Sequence, residues 1–326
     1  MIELTDEKLK LSLAGVAVGF VYGVALRLMY QVFPHALENS WVMTFSFIVL
    51  MPFAMGVVTV YVAELKERQR ILTWIFLPWF PVIAALLAMM LLLLEGLICV
   101  VLFAPLALVL ATLGGVLGGV SGRFIRSHRA KTASLACVLV LPFLVMPWEN
   151  QVLNTRDLRT VENTIDIQAP AAVIWRNIER VPAIRTDELP SSWSHRIGFP
   201  NPVEATLSHE GVGGVRNATF TGGVLFLETI DVWEPEHRLS FTIRAQTDQI
   251  PATTLDEHVH VGGPYFDVLR GEYRLEPLPN GTVRLHLLSR HRLSTDFNWY
   301  SHLWTDAIMS DLQKRILHVI KNRCER

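Results

Sequence analysis

The chain has 326 residues, 51% of them hydrophobic and 18% charged, and a mean hydropathy of +0.34, well above that of an ordinary soluble domain. A net charge of −1 argues against a nucleic-acid partner, and three cysteines, two of them in apolar segments, give no disulfide framework. The hydrophobic excess falls almost entirely before Trp148, so the chain reads as a membrane half, 1–150, a linker, 151–160, and a water-soluble half, 161–326.

A short charged lead opens into the apolar run Leu11–Phe33, too long for a signal-peptide core and read as a retained span. A second run covers Trp41–Ala63. The block Trp74–Val120 would measure roughly 70 Å as one helix, against a hydrocarbon core of about 30 Å, so it is expected to cross twice. Glu95-Gly96 is the natural turn, giving spans at 74–94 and 97–120. A fifth run, Thr132–Trp148, is at the lower length limit for a crossing. Lys66, Arg68 and Arg70 fall in one loop and Arg123, Arg126, Arg129 and Lys131 in another, while Pro34–Ser40 and Glu95-Gly96 carry no basic residue. By that bias the N-terminus is cytoplasmic, and five spans place the soluble half outside a plasma membrane of bacterial type. Gly15, Gly19 and Gly23, and again Gly114, Gly118 and Gly122, form small-residue rows suited to close helix packing or to a homo-oligomer interface. Arg27 and Glu95 sit at the same outer level and are expected to pair rather than to serve transport, since the spans otherwise lack ionisable groups.

After the linker, Glu162–Gln168 alternates as a strand, and Ala169-Pro170 starts a helical segment through Arg180. Four prolines break up the next stretch. Strand-like runs then follow at Pro202–His209, Gly214–Thr221, Val224–Trp233, Arg238–Gln246, Tyr265–Leu278 and Thr282–Ser294, the last two joined by the tight turn Pro279-Asn280-Gly281. The chain closes on an amphipathic helix, Trp299–Lys321, whose apolar stripe is Trp304, Ile308, Leu312, Ile316 and Val319. The order is α+β: a curved antiparallel sheet around a long C-terminal helix.

Several phrases in this half resemble the START-like or SRPBCC superfamily, including its polyketide cyclase/dehydrase group. They are Ile165-Asp166-Ile167-Gln168-Ala169-Pro170 with Val173 and Trp175, then Gly213-Gly214-Val215-Arg216, then Glu228-Thr229-Ile230 leading to Trp233-Glu234-Pro235, and the closing helix. The resemblance covers about Val161–Arg326 and none of the membrane half. It implies a helix-grip fold with a deep apolar cavity for lipids or other hydrophobic molecules, and no common set of catalytic residues.

Alternation assigns the cavity-lining positions. Leu285, Leu287, Ser289 and His291 share the inward side of their strand. Phe241 and Ile243 do so on another, and Leu269 and Tyr273 share a face with Asp267 on a third. Phe226 and Glu228 share a face of a fourth, and Trp304 and Ile308 come from the helix. His291 with Asp267 or Glu228 would make an acid–base pair for a cyclase or dehydratase, although a buried histidine with one hydrogen-bond partner is the commoner arrangement. His258 and His260 lie on one face of an extended segment but lack a spaced third ligand, so no metal is expected. No GxSxG elbow, P-loop, dinucleotide fingerprint or CxxC pair occurs, and no cofactor is expected. Asn217 and Asn280 open matches to the glycosylation sequon, the second better explained as a turn, and Thr247–Pro264 is long enough to act as a lid or to be a plain surface excursion. The expectation is a membrane-anchored binder of a lipid or other hydrophobic small molecule, with an enzyme and a filled-cavity interaction or sensor module as the alternatives.

Overall fold

The computed structural model describes residues 6–32, 44–125, 128–152, 156–246 and 261–326. The chain divides into two compact units, Met1–Asn154 and Thr155–Arg326.

The first unit is helical: α1 (Asp6–Val32), a π-turn Ser46–Leu50 running into α2 (Met51–Ala63), α3 (Ile71–Phe76), α4 (Trp79–Leu91), α5 (Leu97–Phe124) and α6 (His128–Val152). Among the described residues four stretches are long and apolar enough to cross a membrane: Asp6–Met29, Ser46–Ala63, Ile71–Leu91 and Leu97–Phe124. The apolar part of α6, Ala133–Val145, belongs to a shorter class of 10–17 residues. Pro34–Ser40 and the start of the second apolar run lie outside the described residues. The turn at Glu95-Gly96 is where α4 gives way to α5, with Gly96 extended at the helix start.

Both glycine rows pack inside the chain. A Cβ at Gly114 would run into the Phe53 carbonyl oxygen, and one at Gly56 into that of Ala111, so α2 and α5 approach backbone to backbone. Gly15 meets the Thr59 carbonyl oxygen of α2 in the same way, and Gly23 meets the Met55 side chain. Arg27 and Glu95 do pair: Arg27 Nε donates to Glu95 Oε1 at 2.9 Å and Nη2 to the Leu94 carbonyl at 3.1 Å, with both side chains buried. A second polar knot ties the opposite ends of the helices. Glu64 accepts from Trp74 Nε1 at 2.7 Å, from the Gln69 amide at 3.0 Å and from Arg123 at 2.8 Å. Arg123, one of the residues counted in a basic loop, therefore sits at the end of α5 with its charge matched.

The second unit is a seven-stranded antiparallel sheet in the order β1-β7-β6-β5-β4-β3-β2. The strands are β1 (Asp157–Ile167), β2 (Pro202–Leu207), β3 (Val215–Phe220), β4 (Leu225–Glu234), β5 (Arg238–Gln246), β6 (Phe266–Pro277) and β7 (Val283–Leu293). Helices α7 (Ala171–Glu179) and α8 (Trp193–Arg196) fall between β1 and β2, and α9 (Asn298–Cys324) closes the chain. This is a helix-grip fold: the sheet curves, and α9 lies along its concave side over β1 and β7.

β1 begins inside the stretch read as a linker and pairs with β7 from Asp157↔Leu293 to Ile167↔Val283. Its alternation is hidden because its inward side carries Arg159 and Asn163, each matched by a polar group on α9. Arg159 holds Asp306 through two nitrogens at 2.9 and 2.6 Å, and Asn163 donates to Gln313 at 2.7 Å. The buried row of α9 accordingly includes Met309, Gln313, Leu317 and Ile320. Of the apolar stripe read from the sequence, Val319 is buried and Ile316 packs against the core, while Trp304, Ile308 and Leu312, nearer the start of α9, stay half-buried. A packed core of Ile167, Ile174, Ile178, Leu239, Leu285 and Leu317 joins sheet, α7 and α9.

Candidate ligand-binding site

The alternation of β7 is complete: Val283, Leu285, Leu287, Ser289, His291 and Leu293 are all buried on the concave side. Leu285, Leu287, Phe241 and Tyr273 belong to the packed core cluster, with α7 and the C-terminal part of α9 against it. Phe241 fits over β6 because its cross-strand partner is Gly271, where any Cβ would strike the phenyl ring. Ile243 and Phe226, nearer the β3–β4 side, are half-buried, as are Trp304 and Ile308 on α9.

Two acidic candidates sit elsewhere than the alternation placed them. A β-bulge between Val268 and Arg270 shifts the phase of β6, so that Val268, not Asp267 or Leu269, stands opposite His291. Asp267 pairs in register with Arg292, on the other face, and Leu269 lies in the bulge, half-buried. Burial pushes the Asp267 carboxyl up, with Arg292 opposing. Glu228 does face inward, but its partner is Arg216, whose Nη1 donates to Glu228 Oε2 at 2.5 Å. His291 is thus brought together with neither of them. Its Nε2 lies 3.6 Å from Asp306 Oδ1, beyond a hydrogen bond, and neither ring nitrogen has a hydrogen-bond partner among the described residues. Burial lowers the His291 pKa, with Asp306 opposing. Ser289 takes a hydrogen bond from Gln313 Nε2 at 2.9 Å.

The Arg216–Glu228 pair is the polar centre of the concave face. Arg216 is 3% exposed and Glu228 7%. The guanidinium carbon lies 5.1 Å from the Phe241 ring centroid and 5.9 Å from that of Tyr273. Burial pushes the Glu228 carboxyl up against the pull of Arg216, and takes the Tyr273 phenol up to about 12. Arg216 escaped the sequence reading as a site residue because its meaning depends on the register Arg216↔Glu228, which only strand pairing reveals. Gln313 was missed for the same kind of reason, a polar residue at the middle of a buried helix row.

His258 and His260 lie outside the described residues, as does most of the Thr247–Pro264 connection. Among the described residues no group of three or more His, Cys, Asp or Glu side chains is arranged to hold a metal ion. Asn280 acts within its turn, its Oδ1 accepting from the Thr282 amide and hydroxyl at 3.2 and 2.7 Å.

No family model matches the chain, and no curated protein does. Several solved structures resemble it over about half its length. DynU16, a protein in the dynemicin biosynthetic locus, is 16% identical at a TM-score of 0.30, over 51% of this chain and 48% of DynU16. The chain thus spans about half the length of that protein. Norcoclaurine synthase from Thalictrum flavum is 16% identical at 0.33, over 53% of this chain and 88% of the synthase. An uncharacterised protein from Rhizobium leguminosarum is 13% identical at 0.29, over 52% and 99%. The fold assignment rests on the sheet order and the placement of α9 described above.

Proposed function

We propose that the Thr155–Arg326 unit binds a lipid or other hydrophobic small molecule between α9 and the β3–β5 part of its concave face, and that the helical unit anchors it to a membrane. The observation that carries this reading is the Arg216–Glu228 pair, buried within an apolar surface. A buried ion pair is a weak source of stability, because desolvating both charges offsets most of their attraction. As one fixed polar contact among apolar walls it is what a hydrophobic-ligand site requires to orient its guest. Phe226, Ile243, Trp304 and Ile308, apolar yet only half-buried, supply the walls. Leu285, Leu287 and Tyr273 form the packed floor beneath them.

The test is native mass spectrometry of the full-length protein released from detergent. An apolar small-molecule mass should accompany the wild type and be lost in Ile243→Trp, whose added bulk enters the proposed space with little loss of stability. Leu287→Trp, in the packed floor, should instead strain the fold by ~1–3 kcal/mol. If the wild type carries no such mass and takes up no added lipid, the reading fails. The orientation proposed with it has a cytoplasmic N-terminus and five crossings of a bacterial plasma membrane, with the binding unit outside; α6 makes the fifth crossing although its apolar part is short.

A further inference from the structure

Arg315 is a second buried cation of the binding unit, and unlike Arg216 it has no counter-ion in contact. The residue is 8% exposed and its Nε is sealed from solvent. Among the described residues its guanidinium makes no hydrogen bond and no ion pair within 4.0 Å. Asp311, one turn earlier on α9, is the nearest acidic candidate, but its Oδ2 is committed to the start of α8. It accepts from the Ser192 hydroxyl, from Ser194 Oγ at 2.5 Å and from the Ser194 amide at 3.2 Å. A guanidinium presents a rigid fork of five donors; here the Nε–H is desolvated and unmatched, which is costly, while Nη1 and Nη2 are not sealed and remain open to a partner. Burial lowers the Arg315 pKa from its usual value, Asp311 only partly opposing.

Helical spacing says what this cation is next to. Trp304, Ile308, Asp311 and Arg315 follow one another at four, three and four residues, so they form one row along α9. The row runs about 16 Å at 1.5 Å per residue. α8 covers it, with the Trp193 ring 6.3 Å from that of Trp304. Trp304 Nε1 is itself buried and without a hydrogen-bond partner. The apolar residues Trp304 and Ile308 are walls of the proposed binding site, and Arg315 continues their line.

We infer that the ligand is a single-tailed anionic amphiphile, its carboxylate or phosphate head against Arg315 and its tail along Ile308 and Trp304. A planar guanidinium matches either head through two parallel hydrogen bonds, which a neutral ester cannot reciprocate. The inference rests on the binding reading above and adds the charge of the guest.

Full-length protein in detergent is incubated with equal amounts of dodecanoate, dodecyl phosphate and methyl dodecanoate, and the bound masses are read by native mass spectrometry. At least one anionic probe should be retained over the ester by roughly tenfold or more, the factor that a charge-assisted hydrogen bond supplies. Which of the two is retained identifies the head group. Arg315→Gln should bring the anions down to the level of the ester, whereas Arg315→Lys should keep part of the preference. Should Arg315→Gln fail to fold, the wild-type ratio and the lysine variant decide the matter. Equal retention of ester and anions by the wild type, or a preference that survives Arg315→Gln, overturns the inference and leaves the binding reading standing. No retention of any probe overturns both.

Discussion

At the residue scale, the concave face is governed by how few charges it holds and how each is matched. Glu228→Gln leaves Arg216 buried beside Phe241 and Tyr273 without its counter-charge, a change expected to cost about 3–5 kcal/mol. Replacing both together, Arg216→Met with Glu228→Leu, should return stability to within about 1–2 kcal/mol of the wild type. Thermal unfolding read beside ligand retention checks this: recovered stability with lost retention supports a binding role, and retained ligand opposes it. A second pair, Glu188 with Arg323, fixes the end of α9 through hydrogen bonds at 3.0 and 2.8 Å. Arg323 holds the Glu188 carboxyl at about 2, below its usual 4.5. A depressed carboxylate stabilises the fold fully above pH 4.5 and loses that contribution as pH falls toward 2. Unfolding temperature should therefore drop across that window, and Arg323→Gln should flatten the drop. The inward rank of His291 and Ser289 was legible in the alternation of β7. The partner of Glu228 and the acidic neighbour of His291 were not, because they come from β3 and α9, distant in sequence and fixed only by register and helix placement.

At the element scale, the bulge in β6 and the polar inward side of β1 are where periodicity misled. An extra residue at Val268–Arg270 puts the residues before it out of phase with Gly271, Tyr273 and Leu275 after it, which displaced Asp267 and Leu269. Along β1, Arg159 and Asn163 occupy buried-facing positions because α9 brings Asp306 and Gln313 to meet them, so polarity there marks a helix contact rather than a linker. The glycine rows were legible as close-packing surfaces, and the structure occupies them within the chain. Gly114→Val should force α2 and α5 apart and destabilise the helical unit by about 1–3 kcal/mol. The same change at Leu113, exposed on the same helix, should be nearly neutral. Measuring detergent-extracted melting temperatures of both variants tests the assignment, and equal effects would count against it.

At the scale of the whole molecule, the division into an apolar helical unit and a helix-grip unit followed from composition and element order alone, while the number of crossings turns on α6. An enzyme reporter fused after Arg326 and active only in the cytoplasm should stay silent; activity there would mean that α6 does not cross. The order of the sheet has a further consequence, one of timing. Among the described residues β1, the first strand to leave the ribosome, has β7 as its only strand neighbour, and α9 is needed to cover the face the two strands share. Apolar helices can enter a membrane as they emerge, but this sheet cannot complete until residue 293 is out, nor Arg159 and Asn163 be matched until Asp306 and Gln313 follow. Long-range pairing of that kind folds slowly, on the order of milliseconds to seconds. A nascent chain stalled before α9 would thus carry a finished helical unit and an unfinished sheet, its Arg159 and Asn163 open to any passing strand or to a quality-control protease.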